Sequence, residues 1–184
     1  RRCGSLAAPK FITLLGWRQQ DHCDTCGAII AEEREKREME EHRKMTIETY
    51  LARSGIVRGI LAQMTLENFN PQLAGKAYDI AKEYAEGFGR ETTSGLMLYG
   101  KAGSGKTHLA VAIARHIIEQ KQIQVRFARV VDLLAEIRKT FNENEQYRTE
   151  NESDLIQRYA SAPLLIIDDL GAEKTTDWVR QILY

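Results

Sequence analysis

Residues 95 to 120 read GLMLYGKAGSGKTHLAVAIARHIIEQ, and this stretch decides the fold. Gly95 to Tyr99 is a short apolar run that predicts a strand, while Leu109, Ile113 and Ile117 recur four apart, the period of a helix. Between them lie Gly100, Lys101, Ala102, Gly103, Ser104, Gly105, Lys106 and Thr107, a complete G-x-x-x-x-G-K-[ST] loop in the strand-to-helix context that motif requires. The residue types follow from the chemistry of phosphate. Glycines let backbone N–H groups converge on phosphate oxygens, and the helix that follows presents its positive end. Lys106 neutralises charge on the terminal phosphates of a nucleotide, and Thr107 offers an oxygen to Mg²⁺. With glycine at about 7% of residues, a chance match in a chain this size arises on the order of once in a hundred. His108 is counted with the loop as a nucleotide-binding residue, although its place on a helix face beside Thr107 also suits packing or hydrogen bonding.

The alternation of strand and helix continues downstream. QIQVRFA (122 to 128) reads as a strand, VVDLLAEIRKTF (130 to 141) as a helix, and LIQRYA (155 to 160) as the end of another. NENEQYRTENE (142 to 152) is polar enough for a surface loop. Pro163 introduces LLIID, a continuous apolar run of the kind that fits a strand covered on both faces. Upstream, Leu73, Ala77, Ile80, Ala81 and Tyr84 mark one apolar face of a helix over 72 to 87. The pattern predicts an α/β fold with a parallel sheet and flanking helices. Asp168 then ends a buried strand, where a carboxylate can hold Mg²⁺ through water, and Asp169 is placed to polarise an attacking water. Lys106, Asp168 and Asp169 form the expected catalytic set.

Composition agrees with a globular protein. The 184 residues carry 26 Lys plus Arg against 26 Asp plus Glu, with 43% hydrophobic and 28% charged residues. Zero formal charge gives no global attraction to nucleic acid or to an anionic membrane, so binding of either needs a local patch. No apolar run approaches the roughly 20 residues that cross a bilayer, and no secretory core opens the chain, which points to the cytoplasm. The chain begins at Arg1, its first methionine is Met39, and Tyr184 stands in an amphipathic stretch without a stop signal, so both ends read as cut.

Three segments are expected: residues 1 to 30, a charged helical linker over 31 to 54, and the nucleotide-binding core over 55 to 184. In the linker, Glu32/Lys36, Glu33/Arg37 and Glu40/Lys44 stand four apart in the favourable order, which describes a solvated spacer or a partner-binding helix. The first segment holds too little apolar material for its own core, and units this small usually need a metal or a partner. Cys23 and Cys26 form a C-x₂-C knuckle, and Cys3 lies before it at a separation that suits two halves of a Zn²⁺ site. A fourth ligand would be His22 or a residue upstream of Arg1, and three reduced cysteines without metal are the alternative. Arg1, Arg2, Lys10 and Arg18 with Phe11 and Trp17 make a modest basic and stacking set.

GKAGSGKTHLA, LLIIDDLGAEKTTDW and VRQILY together resemble the ATPase domain of DnaC/DnaI-type replicative helicase loaders, an AAA+ family with IstB-like relatives. The likeness covers residues 55 to 184. It implies a P-loop NTPase sheet of AAA+ or RecA type, self-association through the ATPase modules, and delivery of a hexameric helicase to single-stranded DNA. It also implies that Asp169 replaces the usual catalytic Glu, that Glu173 matches a recurrent acid not assigned as the base, and that Asn68 and Phe69 lie near the adenine. Arg129, at a strand end, is a candidate DNA contact. Family sensor and arginine-finger elements follow the acidic strand, so hydrolysis by these 184 residues alone is expected to be slow. An IstB-like transposition helper and a zinc-containing adaptor that binds nucleotide without turnover are the competing functions.

Overall fold

The protein is described from a computed structural model, which covers residues 10–12, 16–18, 23–89, 91–142, 151–174 and 176–183. Cys3, His22, Arg1, Arg2 and Tyr184 lie outside the described residues. The chain divides into two compact units, residues 1–45 and 46–184, and each is described by itself.

In the first unit, β1 (Lys10–Ile12) and β2 (Gly16–Arg18) pair antiparallel, with Lys10 opposite Arg18 and Phe11 opposite Trp17. α1 (Asp24–Ser54) begins inside the cysteine knuckle, ahead of the charged stretch that advertises it. Cys23 sits where an N-cap belongs. Its Sγ accepts the Cys26 N–H at 3.5 Å and its carbonyl accepts the Gly27 N–H at 2.8 Å, while Asp24 adds negative charge to the positive end of the helix. Residues 31 to 45 are exposed on every side. The ion pairs Glu32–Lys36 (2.6 Å), Arg34–Glu38 (2.9 Å) and Glu40–Lys44 (3.6 Å) line this stretch.

The second unit takes in the end of α1, where Ile47, Tyr50 and Leu51 pack on the core. Ser54 closes the helix, donating its hydroxyl to the Leu51 carbonyl at 2.6 Å and accepting the Ile56 N–H at 3.2 Å. Gly55 then turns with φ +88°, and a Cβ there would stand 2.5 Å from the Phe127 carbonyl oxygen, so only glycine fits. Short 3₁₀ turns at Gly59–Gln63 and Pro71–Leu73 lead to α2 (Lys76–Gly87), and the loop of residues 100 to 105 leads to α3 (Lys106–Lys121). β3 (Val125–Arg129), α4 (Val130–Asn142), α5 (Glu152–Ala160), β4 (Leu164–Asp168) and α6 (Asp177–Leu183) follow. β3 and β4 are parallel, with Val125 opposite Leu164 and Arg129 opposite Asp168, so the fold is α/β as the alternation predicts.

The centre of the core is α3. Its buried positions run nearly unbroken from Leu109 to Ala114 and on through Ile117 and Ile118, against Ile56, Val125, and Ala81 and Ala85 of α2. Small residues on α2 let the two helices approach closely. For this reason the buried face of α2 is rotated from the one its periodicity suggests: Ala81 is enclosed as expected, but Ala85 is enclosed with it while Ala77 and Ile80 are exposed, and Leu73 lies ahead of the helix, exposed in the 3₁₀ turn.

Two further expectations change. Gly95 to Tyr99 keeps the alternation of a strand, with Leu96 and Leu98 toward the core and Met97 and Tyr99 outward, but it forms no ladder among the described residues. The reason lies on its flanks. A cavity of about 440 Å³ separates it from Leu73, Ala77 and Ile80, and another of about 560 Å³ separates it from β4. The second cavity also explains why β4, expected to be covered on both faces, is only partly buried, with Ile167 exposed.

Candidate nucleotide-binding site

The phosphate loop takes its shape from glycine. Gly103 (φ +77°) and Gly105 (φ +84°) adopt left-handed backbone that L side chains avoid, and Gly105 is the N-cap from which α3 starts. The carbonyl of Gly105 accepts the Leu109 N–H at 2.9 Å, which fixes the positive end of α3 at Lys106 and Thr107. Lys106 reaches back over the loop, donating its ammonium to the carbonyls of Gly100 (3.1 Å) and Lys101 (2.9 Å). Lys101, Ala102 and Gly103 are exposed, and Ser104 is half-buried.

The second acidic element arrives where the sequence places it. The Thr107 hydroxyl donates to Asp168 Oδ2 at 2.8 Å across 61 residues of chain. A hydroxyl donating to a carboxylate is a charge-assisted arrangement, and its length is the ordinary one for an O–H···O hydrogen bond. It brings together two oxygen donors of the class Mg²⁺ prefers, on the last residue of β4 and the first turn of α3. Asp169 follows with φ +56°, a left-handed conformation that Asp tolerates better than most residues and that turns the chain out of the strand. The Ala172 N–H bonds its carbonyl at 3.1 Å, and Glu173 accepts the Gly171 N–H at 2.8 Å. Glu173 thus closes the turn that carries Asp169. A cavity of about 770 Å³ opens beside Thr107, Asp168 and Asp169 and extends to Gly55, Arg126, Arg129 and Tyr159.

The remaining sequence candidates separate in space. His108 turns toward the 65 to 69 segment, with Nε2 at 2.9 Å from the Thr65 carbonyl and 3.0 Å from Asn68 Oδ1. Phe69 is buried and packs against Gly105, and Asn68 meets His108 on the first turn of α3. Arg129 is bound to Asp132 at 2.7 Å. Sequence reading missed a polar knot on the cavity wall: the Tyr159 hydroxyl donates to Glu136 at 2.8 Å, and Arg158 pairs with the same carboxylate at 2.7 Å. Burial first, and the Glu136 hydrogen bond second, push the Tyr159 pKa up to about 12.

For zinc, Cys23 and Cys26 stand one helical turn apart, with Cys26 buried, but no group of three or more His, Cys, Asp or Glu side chains forms a metal site among the described residues. The described chain supplies two of the four donors a structural Zn²⁺ takes. Among the described residues no helix is long and apolar enough to cross a membrane.

The family model described as IstB-like ATP binding protein matches residues 10–183. The chain belongs to the IstB-like ATP-binding family. Relatives include the replicative helicase loader DnaC of Buchnera aphidicola subsp. Baizongia pistaciae, 30% identical over 180 residues, 95% of this chain and 67% of that protein. The replicative helicase loader DnaC of Escherichia coli K12 is 28% identical over the same shares. The crystal structure of the DnaC helicase loader aligns with a TM-score of 0.56 at 29% identity, covering 65% of this chain and 66% of that one. These matches bear out the resemblance read from the phosphate loop and the LLIIDD strand, and with it the P-loop fold of AAA+ type.

Proposed function

We propose that this member of the IstB-like family is an ATP-dependent switch that loads a replicative helicase onto single-stranded DNA. The observation that carries the nucleotide half of the reading is the 2.8 Å bond between Thr107 and Asp168, which unites the phosphate loop with the acidic strand. Backbone N–H groups of residues 100 to 107 bind the phosphates, and Lys106 leaves the Gly100 and Lys101 carbonyls to neutralise them. Thr107 directly, and Asp168 through water, would hold Mg²⁺, which would supply charge neutralisation at the terminal phosphates. Asp169 orients and polarises the attacking water, since phosphoryl transfer rests on positioning and charge more than on covalent chemistry. The site then acts as an ATPase.

The helicase half rests on the relatives, whose names are those of replicative helicase loaders. The partners proposed are a hexameric replicative helicase, single-stranded DNA and further copies of the chain. An IstB-like transposition helper is the second reading, which the family match fits only as a family, its model being described as IstB-like ATP binding protein. Capture of the host's replicative helicase by the purified protein, with and without ATP, tests the first; binding to duplex DNA and a transposase with no helicase bound would favour the second. For the N-terminal unit we propose a structural Zn²⁺ on Cys3, Cys23 and Cys26, supported by the knuckle at the start of α1. Metal analysis of a protein carrying Cys23→Ser beside the parent tests it, and equal zinc in both would rule it out.

A further inference from the structure

We propose that His108 is a positioning residue for the phosphate loop, pinning the Thr65 to Phe69 turn so that the Phe69 ring braces Gly105; this rests on the nucleotide-binding reading above. The hydrogen-bond pattern fixes what the imidazole does. Asn68 Oδ1 accepts the Thr65 N–H at 2.9 Å, the Asn68 amide N–H₂ donates to the Gln63 carbonyl, and the Asn68 N–H bonds the Thr65 hydroxyl at 3.2 Å. The amide is therefore oriented by its own turn, and both atoms facing His108 Nε2 are acceptors. Nε2 must carry a proton and serve both. The imidazole thus ties a self-contained turn to the first turn of α3, one residue after Thr107.

The turn matters because of the side chain that ends it. Phe69 is 4% exposed, stacks on Tyr78 (5.6 Å between centroids, 8° between planes) and meets the His108 ring edge-on at 5.1 Å. Its ring lies so close to Gly105 that a Cβ built there would be 2.6 Å from Cε2. Gly105 is the left-handed residue from which Lys106 and Thr107 are launched, so the ring limits the backbone states open to the loop. A loop held in its binding shape needs less ordering when phosphate arrives, and a loop that visits that shape only part of the time binds more weakly in proportion. His108 contributes by holding the brace, without touching the nucleotide.

The test is Mg·ATP affinity by calorimetry at 10 °C, well below unfolding, for the parent, His108→Ala, His108→Phe, His108→Gln and Phe69→Leu, with melting temperatures measured alongside. Losing a hydrogen bond of ordinary strength should weaken ATP binding about fivefold in His108→Ala and in His108→Phe, which keeps an aromatic ring but no donor. His108→Gln, which restores an N–H at similar reach, should recover most of the loss. Phe69→Leu should weaken binding comparably, and the double change with His108→Ala should cost less than the product of the two, because both release one brace. If melting temperatures fall while every variant binds Mg·ATP as the parent does, or if the two effects multiply, the proposal is overturned. Should His108→Ala fail to fold, the contrast of His108→Gln with His108→Phe carries the same decision. A parent that binds no ATP at all would instead remove the nucleotide reading beneath it.

Discussion

α1 and α3 are both helices, yet different physics makes them so. The stretch of α1 from residue 31 to 45 is exposed throughout and held by helix-forming residues and i,i+4 ion pairs whose side chains remain more than half exposed. α3 has no such pairs in its first turns and is helical because eight of its residues are enclosed by the core. Exposed pairs contribute a few tenths of a kcal/mol each, whereas enclosing one large aliphatic side chain contributes several times that. A functional loop belongs on the second kind of helix, because only a helix fixed from outside can hold Lys106 and Thr107 still.

Four substitutions sharpen that contrast. Ile117→Ala, at a fully buried position of α3, should lower stability by about 2–5 kcal/mol in chemical denaturation and weaken nucleotide binding with it. Gly55→Ala places a Cβ against the Phe127 carbonyl in a left-handed turn and should cost about 1–3 kcal/mol by the same assay. Tyr159→Phe removes the hydrogen bond to Glu136 and should cost about 1 kcal/mol at neutral pH. Because the folded phenol is raised, Tyr159's contribution is complete below its ordinary pKa of 10.0 and is lost as pH rises from there through about 12. The difference between parent and Tyr159→Phe should therefore shrink over that window. Glu32→Gln in α1 should change stability by less than about 0.5 kcal/mol; a loss as large as that from Ile117→Ala would erase the distinction between the helices.

The same distinction explains what was legible in the sequence. Local patterns carry far: the phosphate loop, the helix after it and the LLIID strand can be read from residue types and order, and Thr107 and Asp168 can each be read as an oxygen donor for Mg²⁺, whereas the direct bond between them appears only in the structure. What escaped depends on contacts between distant segments. Gly55 is required by the carbonyl of Phe127, the enclosed face of α2 is set by the close approach of α3, and His108 takes its role from Thr65 and Asn68. The start of α1 was obscured for a local reason, since Cys23 fills a capping place usually held by an oxygen. Gly95 to Tyr99 has the composition of a strand, but a strand is completed by neighbours, and cavities lie on both its flanks.

The proposed function requires the loop ending in Lys106 and Thr107, closed by Asp168, to bind Mg·ATP. Calorimetric titration of the parent and Lys106→Ala with Mg·ATP tests it most directly. Saturable binding below millimolar concentration is expected for the parent, with affinity about 10- to 100-fold weaker in Lys106→Ala, the loss of charged hydrogen bonds to phosphate. Lys106→Ala binding as tightly as the parent, or a parent that takes up no Mg·ATP at millimolar concentration, would contradict the account.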